Sequence, residues 1–256
     1  MDIQLIKQNL KTKWLGKTIH FEETTDSTNG WALQSLQKGA RPGEVFLTHF
    51  QTKGHGRLKR TWESPKDKNI LVSFIDSQTA QPEHTYQLTL VAGVAILEAL
   101  ENRIRGIKFE LKWPNDILVN GKKLGGILCE KISSHPYAVI GFGLNVNVDK
   151  NDFSPEIKDV ATSLLLETSK PQSREEIIAA CFKSYERWRQ IYDTKGLSPV
   201  IDAWNRYSAI LGQKVTVTEN GKSYEAIAKH LTKEGFLVVE TGEQTITLIS
   251  ADVSLR

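Results

Sequence analysis

Residues 112–128 read Lys112-Trp113-Pro114-Asn115-Asp116-Ile117-Leu118-Val119-Asn120-Gly121-Lys122-Lys123-Leu124-Gly125-Gly126-Ile127-Leu128. Two apolar runs flank Asn120-Gly121, a pair that tolerates the positive φ angles of a tight hairpin turn. The stretch therefore predicts strands at 117–119 and 124–132 joined by that turn, with a further strand before it at 108–113. Its polar residues ask for more than a hairpin. A cation, a rigid proline and an amide–carboxylate pair precede the turn, and a lysine between glycines follows it. Charge, fixed backbone and bare glycine together suit a site that handles a phosphate or a carboxylate.

Upstream, Ser27-Thr28-Asn29 opens a capped helix that ends at Gly39. Pro42-Gly43 turns the chain into a strand at 44–50, a glycine-rich basic loop covers 51–68, and 69–75 is a second apolar strand. Residues 84–100 carry apolar side chains at helical spacing, with Leu88, Val91, Val94, Ala95, Leu97 and Ala99 on it. Downstream, 137–148 is a strand whose Gly141-Phe142-Gly143 leaves room for close backbone approach. Ser173-Arg174-Glu175-Glu176 is a capping box ahead of a long amphipathic helix to about Tyr192, and Ser198-Pro199 starts another. From Lys214 the pattern changes to short strands at 215–217, 224–228, 236–239 and 245–249, with turns at Asn220-Gly221, Glu234-Gly235 and Thr241-Gly242. That spacing predicts a small all-β module. The expected division is a body at 1–210 and the β module at 211–256.

Composition bounds the function. Hydrophobic residues make up 39% of the chain and charged residues 25%, enough apolar material for a large core. The formal net charge is +3 with the basic residues dispersed, so no strong nucleic-acid field and no DNA partner are expected. Cys129 and Cys181 lack metal-ligand spacing and read as structural thiols in a reducing compartment. No secretory leader pattern starts the chain, and the apolar run 88–100 is too short to span a bilayer. A cytoplasmic protein without a membrane partner is expected.

The loop Gln51-Thr52-Lys53-Gly54-His55-Gly56-Arg57-Leu58-Lys59-Arg60-Thr61-Trp62 adds a second signal. Glycines let backbone N–H groups reach an anion, and Arg57 neutralises charge beside them. It is not a P-loop, since no Gly-Lys-Ser/Thr closes it, nor a dinucleotide fingerprint. Each signal also has a local explanation: a helix cap at Ser27, an Asx turn at Asn115, a solvated hairpin lysine at Lys123. The order of all of them is harder to explain locally. Ser-Thr-Asn, Gln-x-x-Gly-x-Gly-Arg, Lys-Trp-Pro-Asn-Asp, Lys-Lys-Leu-Gly-Gly-Ile-Leu and Gly-Phe-Gly-Leu-Asn-Val-Asn follow one another through the chain.

This order resembles the biotin–protein ligases over nearly the whole length, including the closing Asp252-Val253-Ser254-Leu255-Arg256. The resemblance implies an α+β fold: a mixed sheet with flanking helices, like class II tRNA synthetase cores, followed by an SH3-like β-barrel. It implies formation of biotinyl-5′-AMP from biotin and ATP with Mg²⁺ held mainly by the ATP phosphates, then transfer to one lysine of a biotin carboxyl carrier domain. Ser27, Thr28, Asn29, Gln51, Gly54, His55, Gly56, Arg57, Lys123 and Gly126 fall where the family binds biotin. Arg60, Trp62, Lys112, Asn115 and Asn145 fall near the nucleotide, and Lys123 and Arg57 are the expected catalytic cations. Two departures stand out: His55 replaces a usual arginine, and Lys59 stands where glycine is frequent. About twenty residues precede the Ser-Thr-Asn region, so an enzyme-only form without a helix-turn-helix domain is expected, as a monomer or weak homodimer. The alternatives are a lipoate–protein ligase, which shares the adenylation logic, and a non-catalytic biotin sensor or DNA-binding repressor.

Overall fold

The computed structural model describes residues 1–77, 82–132, 135–219, 221–242 and 244–255, and for 82–84 only the backbone. In chain order it contains α1 (Ile3–Asn9), β1 (Ile19–Thr25), α2 (Thr28–Gln37), β2 (Val45–Gln51), β3 (Asn69–Asp76), α3 (Pro82–Arg103), β4 (Phe109–Lys112), β5 (Asp116–Val119), β6 (Lys122–Lys131) and β7 (Ala138–Asn145). Then follow α4 (Leu164–Thr168), α5 (Arg174–Lys195), α6 (Ser198–Tyr207), β8 (Lys214–Glu219), β9 (Lys222–Leu231), β10 (Leu237–Thr241), β11 (Gln244–Leu248) and β12 (Asp252–Leu255).

The hairpin forms as read. β5 and β6 pair antiparallel, and Asn120 and Gly121 turn between them with φ of 51° and 74°. It lies near one edge of a mixed seven-stranded sheet ordered β1-β2-β3-β7-β6-β5-β4, in which only β1 and β2 run parallel. β3 sits inside and every one of its residues is buried, which explains its unbroken apolar look. One face packs on α3, α5 and α6 through the large core. The other face carries α2 through a smaller cluster of Ala32, Leu36, Phe46, Ile75 and Val139.

Some elements differ from expectation. β1 has no buried residue, and its polar run gave no strand pattern; only pairing with β2 makes it a strand. α1 buries Ile6 alone and is held by packing on α5. The box at Ser173 is half made. Ser173 Oγ accepts from Glu176 N at 3.2 Å, but the Glu176 carboxylate pairs with Arg103 instead of returning to the cap.

The C-terminal strands form a five-stranded antiparallel sheet ordered β11-β10-β9-β8-β12. The expected barrel is not closed: among the described residues no ladder joins β11 to β12. Yet these two edge strands are consecutive in sequence, and four Cα steps from Leu248 to Asp252 reach at most about 14 Å. Edge strands of a flat five-stranded sheet would stand about 19 Å apart. The sheet is therefore curled like a barrel without the closing hydrogen bonds. Its inward residues, among them Val215, Val217, Ala228, Leu237 and Val239, belong to the same core as α3 and α6. Asn220 and Arg256, named in the sequence reading, lie outside the described residues, as does 78–81.

Candidate active site

The site is built where the sheet is bare. Gly141 and Gly143 of β7 stand opposite Ser73 and Leu71 of β3. A Cβ on Gly141 would fall 1.9 Å from Asn29 Oδ1, and one on Gly143 would fall 2.6 Å from the Trp62 ring. Gly-Phe-Gly therefore admits the first turn of α2 at one position and an indole at the next. Both occupants need backbone contact, which no other residue type permits.

The start of α2 is fully wired. Ser27 Oγ accepts from Gly30 N at 3.4 Å. The Gln51 carboxamide oxygen accepts from Thr28 N at 2.8 Å and Thr28 Oγ1 at 3.1 Å. Ser73 Oγ lies 2.8 Å from Thr28 Oγ1 and 2.6 Å from Asn29 Oδ1. Asn29 Nδ2 donates to Leu128 O at 3.2 Å and Glu130 Oε2 at 2.7 Å. Ser27, Thr28, Asn29 and Ser73 are buried, so this hydrogen-bonded cradle is rigid, and Ser27, Thr28, Asn29 and Gln51 line the cleft. Asn29 acts as a strut between α2 and the sheet. Ser73 and Glu130 were invisible as site residues, because strand register alone brings them to α2.

A charged corner lies across the cleft. Asp116 bonds Lys123 Nζ at 2.6 Å and Lys112 Nζ at 2.9 Å. Burial by itself would raise the Asp116 carboxyl, but the two ammonium groups outweigh it and hold it below the usual carboxylate range. Asp116 was quoted in the sequence motif without a role; it is the hub of this corner. Asn115 ties the turn to β6, with Nδ2 donating to Ile127 O at 3.0 Å and Ile127 N donating to Asn115 O at 3.0 Å. Trp113 is buried below, and its Nε1 donates to Gly235 O of the C-terminal module at 3.2 Å. Lys123 Nζ stands 5.6 Å from the Trp62 ring centroid, over its face.

The lid segment, 52–68, walls one side of the cleft with His55, Gly56, Arg57, Arg60, Thr61 and Trp62. Its inner turn is held by Gly56 N to Arg60 O at 2.8 Å and Trp62 N to Gly54 O at 2.9 Å. Leu58 and Lys59 at its tip have φ of 53° and 58°, the left-handed region that favours glycine, which neither position has. His55 Nε2 is 3.8 Å from Glu130 Oε1. Arg57 Nη2 donates to Ser250 Oγ at 2.8 Å and Nη1 to Ala251 O at 3.4 Å, while Arg60 pairs with Asp252. Burial lowers the Arg57 pKa, against the opposing pull of Asp252 and Asp116.

One cavity of about 150 Å³ gathers Ser27, Thr28, Asn29, Gln51, His55, Gly56, Arg57, Arg60, Trp62, Lys112, Asn115, Lys123 and Gly126. Asp116, Gly141, Gly143, Asp252, Val253 and Ser254 also line it, and Leu71, Trp113 and Leu128 give it apolar surface. Two expected residues stand behind it. A Cβ on Gly54 would meet Gln51 Nε2 at 2.7 Å and Trp62 O at 3.0 Å, so Gly54 lets the lid cross Gln51. Asn145 is buried and donates to Thr162 O at 3.0 Å, bracing the loop beyond β7. Trp62 Nε1 and both polar atoms of the Asn69 carboxamide are buried without a hydrogen-bond partner among the described residues. Among the described residues no three His, Cys, Asp or Glu side chains cluster to hold a metal ion, and no helix is long and apolar enough to cross a membrane. Both cysteines are free, and burial pushes the Cys181 thiol up to about 12.

The chain matches the biotin/lipoate A/B protein ligase family over residues 21–147 and the biotin protein ligase C-terminal domain over 210–256. It is 33% identical to the bifunctional ligase/repressor BirA of Bacillus subtilis, across 98% of this chain and 78% of that protein. It is 31% identical to the biotin–[acetyl-CoA-carboxylase] ligase of Mycobacterium tuberculosis, across 90% of this chain and 85% of that protein. The biotin protein ligase of Aquifex aeolicus, solved in complex with biotin and ATP, superposes with a TM-score of 0.82 at 29% identity, covering 94% of this chain and 99% of that one. Two family models that together reach from the start of β1 to the C-terminus, and relatives one-third identical over nearly the whole chain, agree with one another: the chain belongs to the biotin protein ligase family.

Proposed function

We propose that this protein activates biotin with ATP to biotinyl-5′-AMP and passes the biotinyl group to one lysine of a biotin carboxyl carrier protein. The observation that carries this reading is the single cavity in which an uncharged polar cradle faces a paired lysine corner. Biotin has the same polarity, with a neutral urea at one end and a carboxylate at the other.

Thr28, Gln51 and Ser27 at the start of α2 serve the urea, and the apolar walls Leu71, Trp113 and Leu128 take the bicycle. The carboxylate then lies toward Lys123. One of its oxygens attacks the α-phosphorus of ATP, the bond to the bridging oxygen breaks, and pyrophosphate leaves. Negative charge builds on the phosphate oxygens, where Lys123 and Arg57 offset it. Asp116 holds Lys123 in place, and Lys112, Arg60 and Asn115 stand on the nucleotide side. Trp62 Nε1, buried at the cavity wall and without a hydrogen-bond partner among the described residues, suits a base that offers acceptors. The acceptor lysine then attacks the carbonyl, and AMP leaves. The lid keeps water from the mixed anhydride until that step.

Mg²⁺ bound to ATP would supply further charge neutralisation. The paired state of Asp116 and the lack of a carboxylate cluster among the described residues suit an ion carried by the phosphates better than a protein cage. The working division is a catalytic body at 1–210 with the β module at 211–256, acting in the cytoplasm as a monomer or weak homodimer.

Incubation with ATP, biotin and an acceptor domain should add one biotinyl mass to the acceptor, read by mass spectrometry. No mass gain with biotin, together with gain from lipoate, would move the assignment to lipoate transfer.

A further inference from the structure

Beyond the core they share, two turns of the C-terminal module make polar contacts of different character with the body. Its β9–β10 turn is anchored to rigid structure, with Gly235 O accepting from Trp113 Nε1 at 3.2 Å and Glu234 O from Tyr86 Oη at 2.7 Å. At the same end of the sheet, where Leu248 pairs with Leu237, the β11–β12 turn grips the lid. Ser250 Oγ and Ala251 O accept from Arg57, and Asp252 pairs with Arg60. Asp252, Val253 and Ser254 also line the cavity beside Arg57 and Arg60. The lid has little else to hold its tip. Leu58 is 71% exposed, and Leu58 and Lys59 both sit in the left-handed region.

We propose that Asp252 is a positioning residue of the adenylation site: with Ser250 and Ala251 it holds the lid arginines at the cleft before ATP arrives, which makes the C-terminal module part of the catalytic apparatus. The inference rests on the ligase reading above. A guanidinium that must meet a phosphate is most effective when its place is already set, because donors that need no reorganisation stabilise developing charge best. A carboxylate one strand away supplies such a place for Arg60 without burying the charge. A backbone carbonyl and a hydroxyl do so for Arg57 without neutralising it. Both arginines remain at the cavity wall while so held.

The test compares wild type with Asp252→Asn and Asp252→Glu. Trypsin is the first probe, because Arg57, Lys59 and Arg60 are cleavage sites within the lid. Asp252→Asn should speed cleavage there in the absence of any substrate while the melting temperature stays at the wild-type value. The same variant should raise KM for ATP in pyrophosphate release by roughly fivefold, the scale of one partly exposed ion pair, with biotin affinity by calorimetry unchanged. Asp252→Glu should restore both. Wild-type lid protection and wild-type KM for ATP in Asp252→Asn would overturn the proposal. So would faster cleavage with an unmoved KM, which would make the contact merely structural. If wild type releases no pyrophosphate with biotin, the ligase reading fails on its own, and the trypsin comparison still decides whether the clamp exists.

Discussion

At the scale of single residues, Lys123 and Asp116 form a pair whose members do different work. Lys123 is half-exposed and faces the cavity, whereas Asp116 is largely buried behind it. Lys123→Ala should lower the rate of pyrophosphate release by about a hundredfold or more, the scale of about 3 kcal/mol for one lost electrostatic contact in the transition state. Its melting temperature should barely move, since Lys112 still pairs Asp116. A near-normal burst of pyrophosphate would remove Lys123 from the chemistry. Asp116 has a pH signature as well. Its folded pKa is depressed, so it contributes stability above the ordinary carboxylate value, about 4, and that contribution is lost as pH falls through the lower folded value. Melting temperatures measured from neutral pH down to about pH 3 should therefore fall less steeply at the acid end for Asp116→Asn than for wild type. Parallel acid limbs in the two proteins would show that the pair carries no linkage.

At the scale of elements, β6 and β7 present three glycines to the cleft with different tasks. A Cβ on Gly141 meets the Asn29 carboxamide at 1.9 Å and Ser73 Oγ at 2.8 Å, and Asn29 is pinned by bonds to two further strand positions. Gly141→Ala should destabilise the fold by about 1–3 kcal/mol, as overpacking of a rigid site does, and should weaken biotin binding with it. Gly126 is the contrasting case: its Cβ would meet Lys123 and Trp62 at 3.5–3.6 Å, ordinary contact distance. Gly126→Ala should unfold like wild type in urea yet bind biotin more weakly, because the methyl would occupy ligand space. Equal stability losses in both variants would put Gly126 in the structural class with Gly141. These assignments could be read in part from Gly-Phe-Gly and Leu-Gly-Gly-Ile. What stands over each glycine could not, because Asn29 arrives from α2 and Trp62 from the lid.

At the scale of the molecule, the curled C-terminal sheet shares one apolar core with α3, α5 and α6. Its buried Val215 and Leu237 belong to that shared core, and Leu90 of α3 would lie 2.6 Å from a Cβ on Gly235. Packing this continuous should not melt in two steps. Urea unfolding followed by far-ultraviolet dichroism and by tryptophan fluorescence should give coincident transitions. An early step that releases only the β strands would show that 211–256 is an independent unit.

Local chemistry alone determined a great deal here. Asn120-Gly121 can turn tightly, Ser27 and Ser173 can cap helices, and the apolar periods of α3 and β3 can only be buried; each depends on neighbours within a few residues. The motif residues that line the cavity were legible for the same reason, since their side chains are suited to an anion or a urea wherever they stand. Tertiary structure alone decided the rest. β1 is a strand only through β2. Ser73 and Glu130 reach the site through register and packing, and Asp116 becomes a hub because a turn brings Lys112 and Lys123 to the same carboxylate. The meeting of Arg57 and Arg60 with Ser250 and Asp252 spans more than 190 residues of chain. Contacts at that separation leave no local periodicity or composition behind, because they are set by the packing of whole layers.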